Sequence, residues 1–118
     1  MSELIYRIHS DEGSLLAYVI KASFTTDITS FVTPPEHNFQ VGFVVYPKHG
    51  TIQNHYHRKI DRQVSNTSEV LVVREGKCEI DIFDNNQCLV ETLKLNVGDV
   101  MVMVTGGHGF RMMQDTVL

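Results

Sequence analysis

The chain contains no tryptophan, only three prolines and two cysteines, and no long hydrophobic run. Its longest apolar run, residues 15–20, is far shorter than the roughly 18 residues that a membrane-spanning helix needs. The first residues lack the basic stretch followed by an apolar one that marks a secretory leader. Lysine and arginine total 10 against 14 acidic residues, so the net charge of -4 gives no general attraction to nucleic acids or anionic lipids. We therefore expect a cytoplasmic protein that binds neither nucleic acid nor membrane.

A chain of 118 residues, 42% of them hydrophobic, is long enough for one domain with its own core. We predict a single domain spanning residues 1–118. The two cysteines, Cys78 and Cys88, fall in a predicted hairpin that pairs residue 78 with 93 and residue 83 with 88. This pairing separates the two Cα atoms by more than the limit of about 7 Å for a disulfide. We expect both thiols to be reduced and buried.

Apolar residues alternate with polar ones along most of the chain, and β-branched and aromatic residues dominate these runs. This period of two predicts strands, because successive side chains of a strand point to opposite faces. Turn-forming residues separate the runs at intervals of about ten residues, which favours an all-β antiparallel sandwich or barrel. The predicted strands are residues 3–9, 15–20, 39–46, 51–58, 69–74, 77–83, 88–95, 100–105 and 109–113.

Three histidines and one glutamate stand where strand geometry can bring metal ligands together. His55 and His57 are one residue apart, so both imidazoles project from the same face of the predicted strand 51–58. Glu69 opens an apolar strand and is predicted to face the interior of a sheet, where an unpaired carboxylate is costly. His108 follows two glycines at the start of another strand, with Phe110 and Met112 on its face. Imidazole and carboxylate donors suit a divalent transition metal ion.

The alternative interpretation gives these residues structural roles. The two neighbouring histidines would then lie on a polar surface strand, and Glu69 would accept hydrogen bonds from backbone amides at the start of its strand. If the four side chains diverged, a β-sandwich that binds a protein partner and holds no metal would follow instead.

Two motifs of the chain resemble those of the cupin superfamily. The first motif combines a glycine-led His-x-His segment with a glutamate that is followed by a glycine; its residues here are Gly50, His55, His57, Glu69 and Gly76. The second motif combines a Gly-Asp turn with a glycine loop and a histidine; its residues here are Gly98, Asp99, Gly106, Gly107 and His108. The resemblance covers residues 42–113. It implies a double-stranded β-helix, the jelly-roll barrel of the cupins, with a divalent metal held by His55, His57, Glu69 and His108.

The chain also departs from the cupin pattern at two places. Eleven residues separate His57 from Glu69, where the family has three or four, so residues 58–68 are expected to form a longer excursion at the mouth of the barrel. The second motif lacks a proline and is one residue shorter before His108. Neither departure removes a ligand type.

Several polar residues near the first motif are candidates for contacts with a substrate. Arg58 and Arg62 concentrate positive charge in an otherwise acidic chain and can pair with a carboxylate or phosphate; an ordinary solvated loop is the alternative. Gln53 shares the predicted face of the histidine pair. His49 lies at the turn before the ligand strand, and Tyr46 precedes that turn. Tyr46, His49 and Gln53 are also the candidates for a general acid or base.

The resemblance thus implies a metal-dependent cupin enzyme, of the dioxygenase or the isomerase and epimerase type. Its substrate would be a small polar molecule, either anionic or sugar-like. The cofactor would be Fe, Mn, Ni, Co or Zn, since these donors accept several ions. The alternative is a non-catalytic cupin that binds a small ligand or sugar, with a structural or ligand-gripping metal. Residues 115–118 resemble the start of another strand, and an unpaired edge there would favour a homodimer.

Overall fold

The computed structural model describes residues 4–118, which form nine strands and no helix. Within this range no helix is long and apolar enough to cross a membrane. The all-β prediction is confirmed, and the start of the first predicted strand at residue 3 lies outside the described residues. In chain order the strands are β1 Ile5–His9, β2 Leu15–Ile20, β3 Ser30–Phe31, β4 Gly42–Phe43, β5 Glu69–Val72, β6 Lys77–Phe83, β7 Leu89–Asn96, β8 Val100–Met103 and β9 Gly107–Met112.

The chain divides into two compact units. Unit 1 comprises residues 4–24 and 66–118 of the described chain, and unit 2 comprises Thr25–Ser65. Unit 1 holds two antiparallel sheets, one with the strand order β1-β2-β8-β5 and one with the order β7-β6-β9. Among the described residues, neither sheet closes into a barrel.

The two sheets of unit 1 share one hydrophobic core, because the inward residues of each sheet are apolar. In β6, buried Cys78, Ile80 and Ile82 alternate with partly exposed residues, which is the predicted period of two. From the other sheet, Met101 and Met103 on β8 join the same cluster. Each fully buried isoleucine contributes about 2 kcal/mol by leaving water. This burial, repeated across both sheets, is what fixes the strands of unit 1.

A buried carboxylate ties the end of β2 to the turn between β7 and β8. Asp99, only 2% exposed, accepts hydrogen bonds from Lys21 Nζ at 2.6 Å, Ala22 N at 2.7 Å and Asn96 N at 2.7 Å. Lys21 Nζ also donates to the carbonyl of Lys94 at 2.9 Å. Asp99 belongs to the Gly-Asp turn of the second motif, so the structure gives that motif position a structural role.

The pKa of Asp99 reflects two opposing effects. Burial raises the pKa of this carboxyl, because the charged form loses water. The hydrogen bonds from Asn96 N, Lys21 and Ala22 N, together with the charge of Lys21, lower the pKa by more, so it lies below its ordinary value. Asp99 is therefore ionised in the folded protein at neutral pH.

Two glycines of the motifs occupy positions that no other residue fits. Gly76 follows the glutamate of the first motif and has a φ of 87°; a Cβ there would collide with the backbone of Asp115 and Thr116. Gly106 has a φ of 88°, and a Cβ there would collide with the carbonyl oxygen of Phe83. Both sites therefore require the left-handed backbone and the missing side chain of glycine.

The hairpin of β6 and β7 differs from its predicted register. Cys78 pairs with Leu95 rather than with residue 93, and Phe83 pairs with Leu89 after a bulge. The turn is longer than predicted, because Asp84 Oδ1 accepts hydrogen bonds from both Asn86 N and Cys88 N at 2.9 Å. The expectation of two buried thiols holds for Cys78 and is wrong for Cys88, which this turn leaves exposed; both cysteines are free.

Unit 2 has far less regular structure than the sequence predicts. The predicted strand 39–46 is reduced to β4, a two-residue strand paired with β3, and the predicted strand 51–58 is wrong, because these residues form no ladder. Every side chain from 51 to 58 is exposed, so no buried face enforces a period of two there. In place of a longer ladder, the hydroxyls of Thr29 and Thr33 accept hydrogen bonds from the backbone N–H groups of Val45 and Val41, both at 2.9 Å.

Candidate functional site

Two of the four predicted ligands, Glu69 and His108, meet in unit 1. Glu69 begins β5 opposite Met103, and His108 lies within β9 opposite Ile82, so each is carried by a different sheet. His108 Nε2 lies 3.8 Å from Glu69 Oε1. The Glu69 side chain is 51% exposed and that of His108 is 24% exposed. The pair therefore sits where the core of unit 1 ends and solvent can reach both donors.

The surroundings of this pair follow the predicted faces only in part. His108, Phe110 and Met112 alternate along β9 opposite the buried residues of β6, as predicted, and the rings of His108 and Phe110 are 5.6 Å apart in an edge-to-face arrangement. Glu69 shares a sheet face with Leu71, which packs against the core. Glu69 itself is exposed, so the prediction that it is enclosed in the sheet interior is wrong.

The other two predicted ligands, His55 and His57, lie close together in unit 2. Their ring centroids are 5.3 Å apart with the planes tilted by 48°. His55 Nδ1 lies 2.9 Å from the backbone oxygen of Gln53. A carbonyl oxygen only accepts, so Nδ1 carries the proton of this bond. In neutral His55 the lone pair then resides on Nε2, which is the arrangement that metal-bound histidines adopt when a backbone carbonyl orients them.

The predicted ligands are therefore brought together as two pairs, one in each unit. In the described part of the chain, no three side chains from histidine, cysteine, aspartate and glutamate cluster closely enough to hold one ion. Each pair supplies donors of the type that transition metals accept, imidazole with imidazole and imidazole with carboxylate.

The predicted substrate-binding residues all belong to unit 2 and are exposed. Tyr46 packs over Gly50, where a Cβ would meet the tyrosine side chain at 3.1 Å. His49 adopts a φ of 70°, because the chain reverses between Pro47 and Gly50, whose N–H donates to the carbonyl of Pro47 at 2.9 Å. The remaining three predicted residues lie in the stretch without regular structure and are Gln53, Arg58 and Arg62. Of these, Gln53 has a defined contact with the candidate site, through its backbone and not its amide.

The structure also shows a cavity beside His108 that the sequence did not indicate. It is open to solvent, has a volume of about 360 Å³ and lies within unit 1, between the β6–β7 turn and residues 106–108. The sequence signal for this cavity is the concentration of amide and carboxylate side chains in the β6–β7 turn, together with a histidine at the expected start of the strand that carries His108.

A comparison of the chain with protein-family models, with curated proteins and with solved structures finds no match.

Proposed function

We propose that this protein binds a divalent transition metal ion through His55, His57, Glu69 and His108. The observation that supports the proposal most directly is the orientation of His55, whose Nδ1 donates to a backbone carbonyl and whose Nε2 is left to accept an ion. The contact between His108 and Glu69 supplies a second pair of donors with partial exposure to solvent. The joining of both pairs on one ion rests on the resemblance of the sequence to the cupin motifs.

The proposed fold and the proposed activity rest on the same resemblance to the cupin motifs. The fold is a cupin jelly roll, for which the antiparallel sheets of unit 1 and the glycine-specific positions of both motifs are the support. The activity is that of a metal-dependent enzyme, either a dioxygenase or an isomerase or epimerase, acting on a small polar molecule. His55, His57, Glu69 and His108 would hold the ion with positions left for water or substrate, and the ion would supply Lewis-acid activation of what it binds.

The metal proposal is tested by elemental analysis of protein purified without a histidine tag. We expect near-stoichiometric Fe, Mn, Ni, Co or Zn in the wild-type protein. His57→Ala should lower the occupancy by about tenfold or more, whereas His49→Ala, an exposed histidine of the same unit, should leave it unchanged. Equal occupancy in the two variants, or no metal in the wild type together with no metal-induced rise in Tm, would reject the site.

Two further variants decide whether unit 1 contributes to the same ion. Glu69→Gln keeps the shape of the side chain and removes its charge, and His108→Ala removes an imidazole. We expect both to weaken metal binding as His57→Ala does. If only the unit 2 histidines affect binding, the four-ligand centre is wrong and a site limited to His55 and His57 replaces it.

Catalysis is tested separately from metal binding. Metal-loaded protein, including protein reconstituted with Fe(II) under anaerobic conditions, is screened against keto acids, diketones and nucleotide sugars. Turnover of one class that is lost in His57→Ala supports the enzyme. The second candidate, a non-catalytic ligand-binding cupin, is favoured by the cavity beside His108, and binding without turnover across the screen would select it.

A further inference from the structure

The cavity beside His108 has the size and position of a small-molecule site. Its volume of about 360 Å³ lies within the range of about 300–1,000 Å³ that is typical of ligand pockets. One wall is the β6–β7 turn, and the other is Gly106 with the first two residues of β9. His108 is a member of both the cavity wall and the contact with Glu69. A molecule in the cavity would therefore lie next to a proposed metal ligand.

The turn that forms one wall is held in place by its own hydrogen bonds. Asp84 N donates to the carbonyl of Cys88 at 2.9 Å, and Gln87 N donates to the carbonyl of Asp84 at 3.1 Å. Thr105 Oγ1 lies 3.4 Å from Asn85 Oδ1 and equally far from Asn66 Oδ1, so its one proton is shared between the turn and residue 66. Gln87 holds a φ of 66°, a conformation that few residues other than glycine adopt. The wall is thus shaped before any ligand arrives, which lowers the entropic cost of binding.

The side chains that line the cavity favour some classes of ligand over others. Both side-chain hydrogen bonds of Asp84 end on Oδ1, so in the described structure Oδ2 remains as an acceptor for a ligand hydroxyl. The amides of Asn85 and Gln87 both donate and accept. Phe83 adds the one large apolar residue of the wall. No lysine or arginine lines the cavity, so in the metal-free protein a phosphate or carboxylate would meet the charge of Asp84 with no lysine or arginine to offset it.

We propose that this cavity binds a neutral polyhydroxylated molecule, a sugar or a polyol, against His108. The proposal names a substrate class for the proposed metal site and rests on that function only for what happens to the ligand after binding. It selects the sugar-like substrate over the anionic one. Binding in the cavity involves Asp84, Asn85 and Gln87, which are outside the proposed metal ligands, and is measurable without metal.

Two glycines of β9 provide a matched pair of variants. Gly107 borders the cavity, and a Cβ there would meet only Phe83 Cβ at an ordinary 3.7 Å, so Gly107→Leu places a side chain at the cavity with no backbone clash. Gly109 lies two residues further along the same strand, opposite Asp81, where a Cβ has nothing within 4 Å and the cavity is not reached. Gly109→Leu is therefore the control for adding the same side chain to the same strand.

The experiment is a titration of ¹⁵N-labelled, chelator-treated protein followed by amide chemical shifts. The neutral probes are D-glucose, D-galactose, D-mannose and myo-inositol, and the anionic probes are glucose 6-phosphate and glucuronate. We expect saturable shifts with at least one neutral probe, centred on Asn85, Gln87 and residues 106–108. Gly107→Leu should weaken this binding by about tenfold or more, and Gly109→Leu should leave it within twofold.

Three results would overturn the proposal: no saturable binding of any neutral probe, stronger binding of both anionic probes than of any neutral one, or unchanged affinity in Gly107→Leu. If Gly107→Leu fails to fold, Gln87→Gly replaces it, because glycine keeps the positive φ and removes the amide. Unchanged affinity in Gln87→Gly would then overturn the proposal. Since the protein is free of metal, these outcomes are separate from the elemental analysis that decides the proposed function.

Discussion

The two units of this protein differ in how their apolar residues are used. In unit 1 the apolar residues of seven strands meet in one core, and side chains such as Leu16, Ile80 and Ile82 are completely buried. In unit 2 the two strands have two residues each, and Ile60 and Tyr56 are 65% and 97% exposed. Apolar residues are abundant in both units, so composition alone does not produce strands. Strands form where both sheet partners and a buried face are available.

The two pairs of predicted metal ligands lie in units that differ in regular structure. The His55 and His57 pair lies in the unit with little regular structure, whereas Glu69 and His108 are fixed by strands of the other. Ligand-binding segments are commonly drawn from the less stable parts of a fold, because binding has to reorganise them. Hydrogen exchange measures this difference between the units, and the variants that follow measure what stabilises unit 1.

The largest expected effect is in hydrogen exchange. Amides of the β6 and β8 strands should exchange only with global unfolding, which corresponds to about 5 kcal/mol or more of protection. Amides of residues 51–58 lie outside any strand and should exchange within the first seconds. Exchange followed by NMR or mass spectrometry measures both. Comparable protection in the two segments would contradict the contrast between the units.

The next effect is the loss of the buried carboxylate. Asp99→Asn removes the negative charge that pairs with Lys21 and weakens the acceptors of two backbone N–H groups. Breaking one partner of a buried ion pair costs about 3 kcal/mol, measured as a shift of the urea unfolding curve. Asp84→Asn is the control, because it changes an aspartate of the same unit that has no lysine partner among the described residues. Equal shifts in both variants would mean that the pair with Lys21 adds no stability.

A smaller effect is expected at the turn before β9. Gly106→Ala forces a side chain into a left-handed backbone and against the carbonyl of Phe83, which should destabilise unit 1 by about 2 kcal/mol. Gly109→Ala is the matched control, since a Cβ there meets nothing within 4 Å. Thermal unfolding of both variants checks the difference. A Gly106→Ala protein as stable as Gly109→Ala would show that the loop is free to move away from Phe83.

The smallest effect is the contribution of Asp99 to acid stability. Its pKa is depressed in the folded state, so its contribution is complete above the unfolded value of about 3.9 and is lost as the pH falls from there through the folded pKa. Wild-type stability should therefore decline below about pH 4 more steeply than that of Asp99→Asn. The pKa of Asp81 is lowered as well, by its hydrogen bond with Arg111, but this carboxylate is present in both proteins and cancels in the difference. Parallel curves would contradict the assignment.

The strands that the sequence predicted well are those whose apolar side chains are buried in the core. β2 and β6 have the predicted bounds, because their apolar residues alternate or run continuously into a core. The register of the β6–β7 hairpin was wrong by two residues at Cys78, since the side chain of Asp84 lengthens the turn. At Cys78 the slide of two residues keeps the side chains of β7 on their predicted face, whereas the slide at Phe83 is one residue. The core was therefore predictable even where the pairing was not.

The candidate site was predictable in its residue types and less so in its geometry. The contact between Glu69 and His108 follows from the strands that carry them. The predicted strand around His55 and His57 does not form, because the segment that carries them is exposed throughout. The two rings are still neighbours, held by a local bond to the backbone of Gln53. The cavity beside His108 was missed, since it depends on two segments that are far apart in sequence.

Because only one of the two thiols is exposed, the protein has a single site for thiol-specific labelling. Burial raises the pKa of the Cys78 thiol, and the charge of Asp99 adds to this, so Cys78 is protected from alkylation in the folded state. Cys88 is exposed one residue beyond Gln87. A maleimide dye added to the unaltered protein will therefore attach only at Cys88, next to the proposed sugar-binding cavity. A change in the fluorescence of this dye then measures the binding of a sugar.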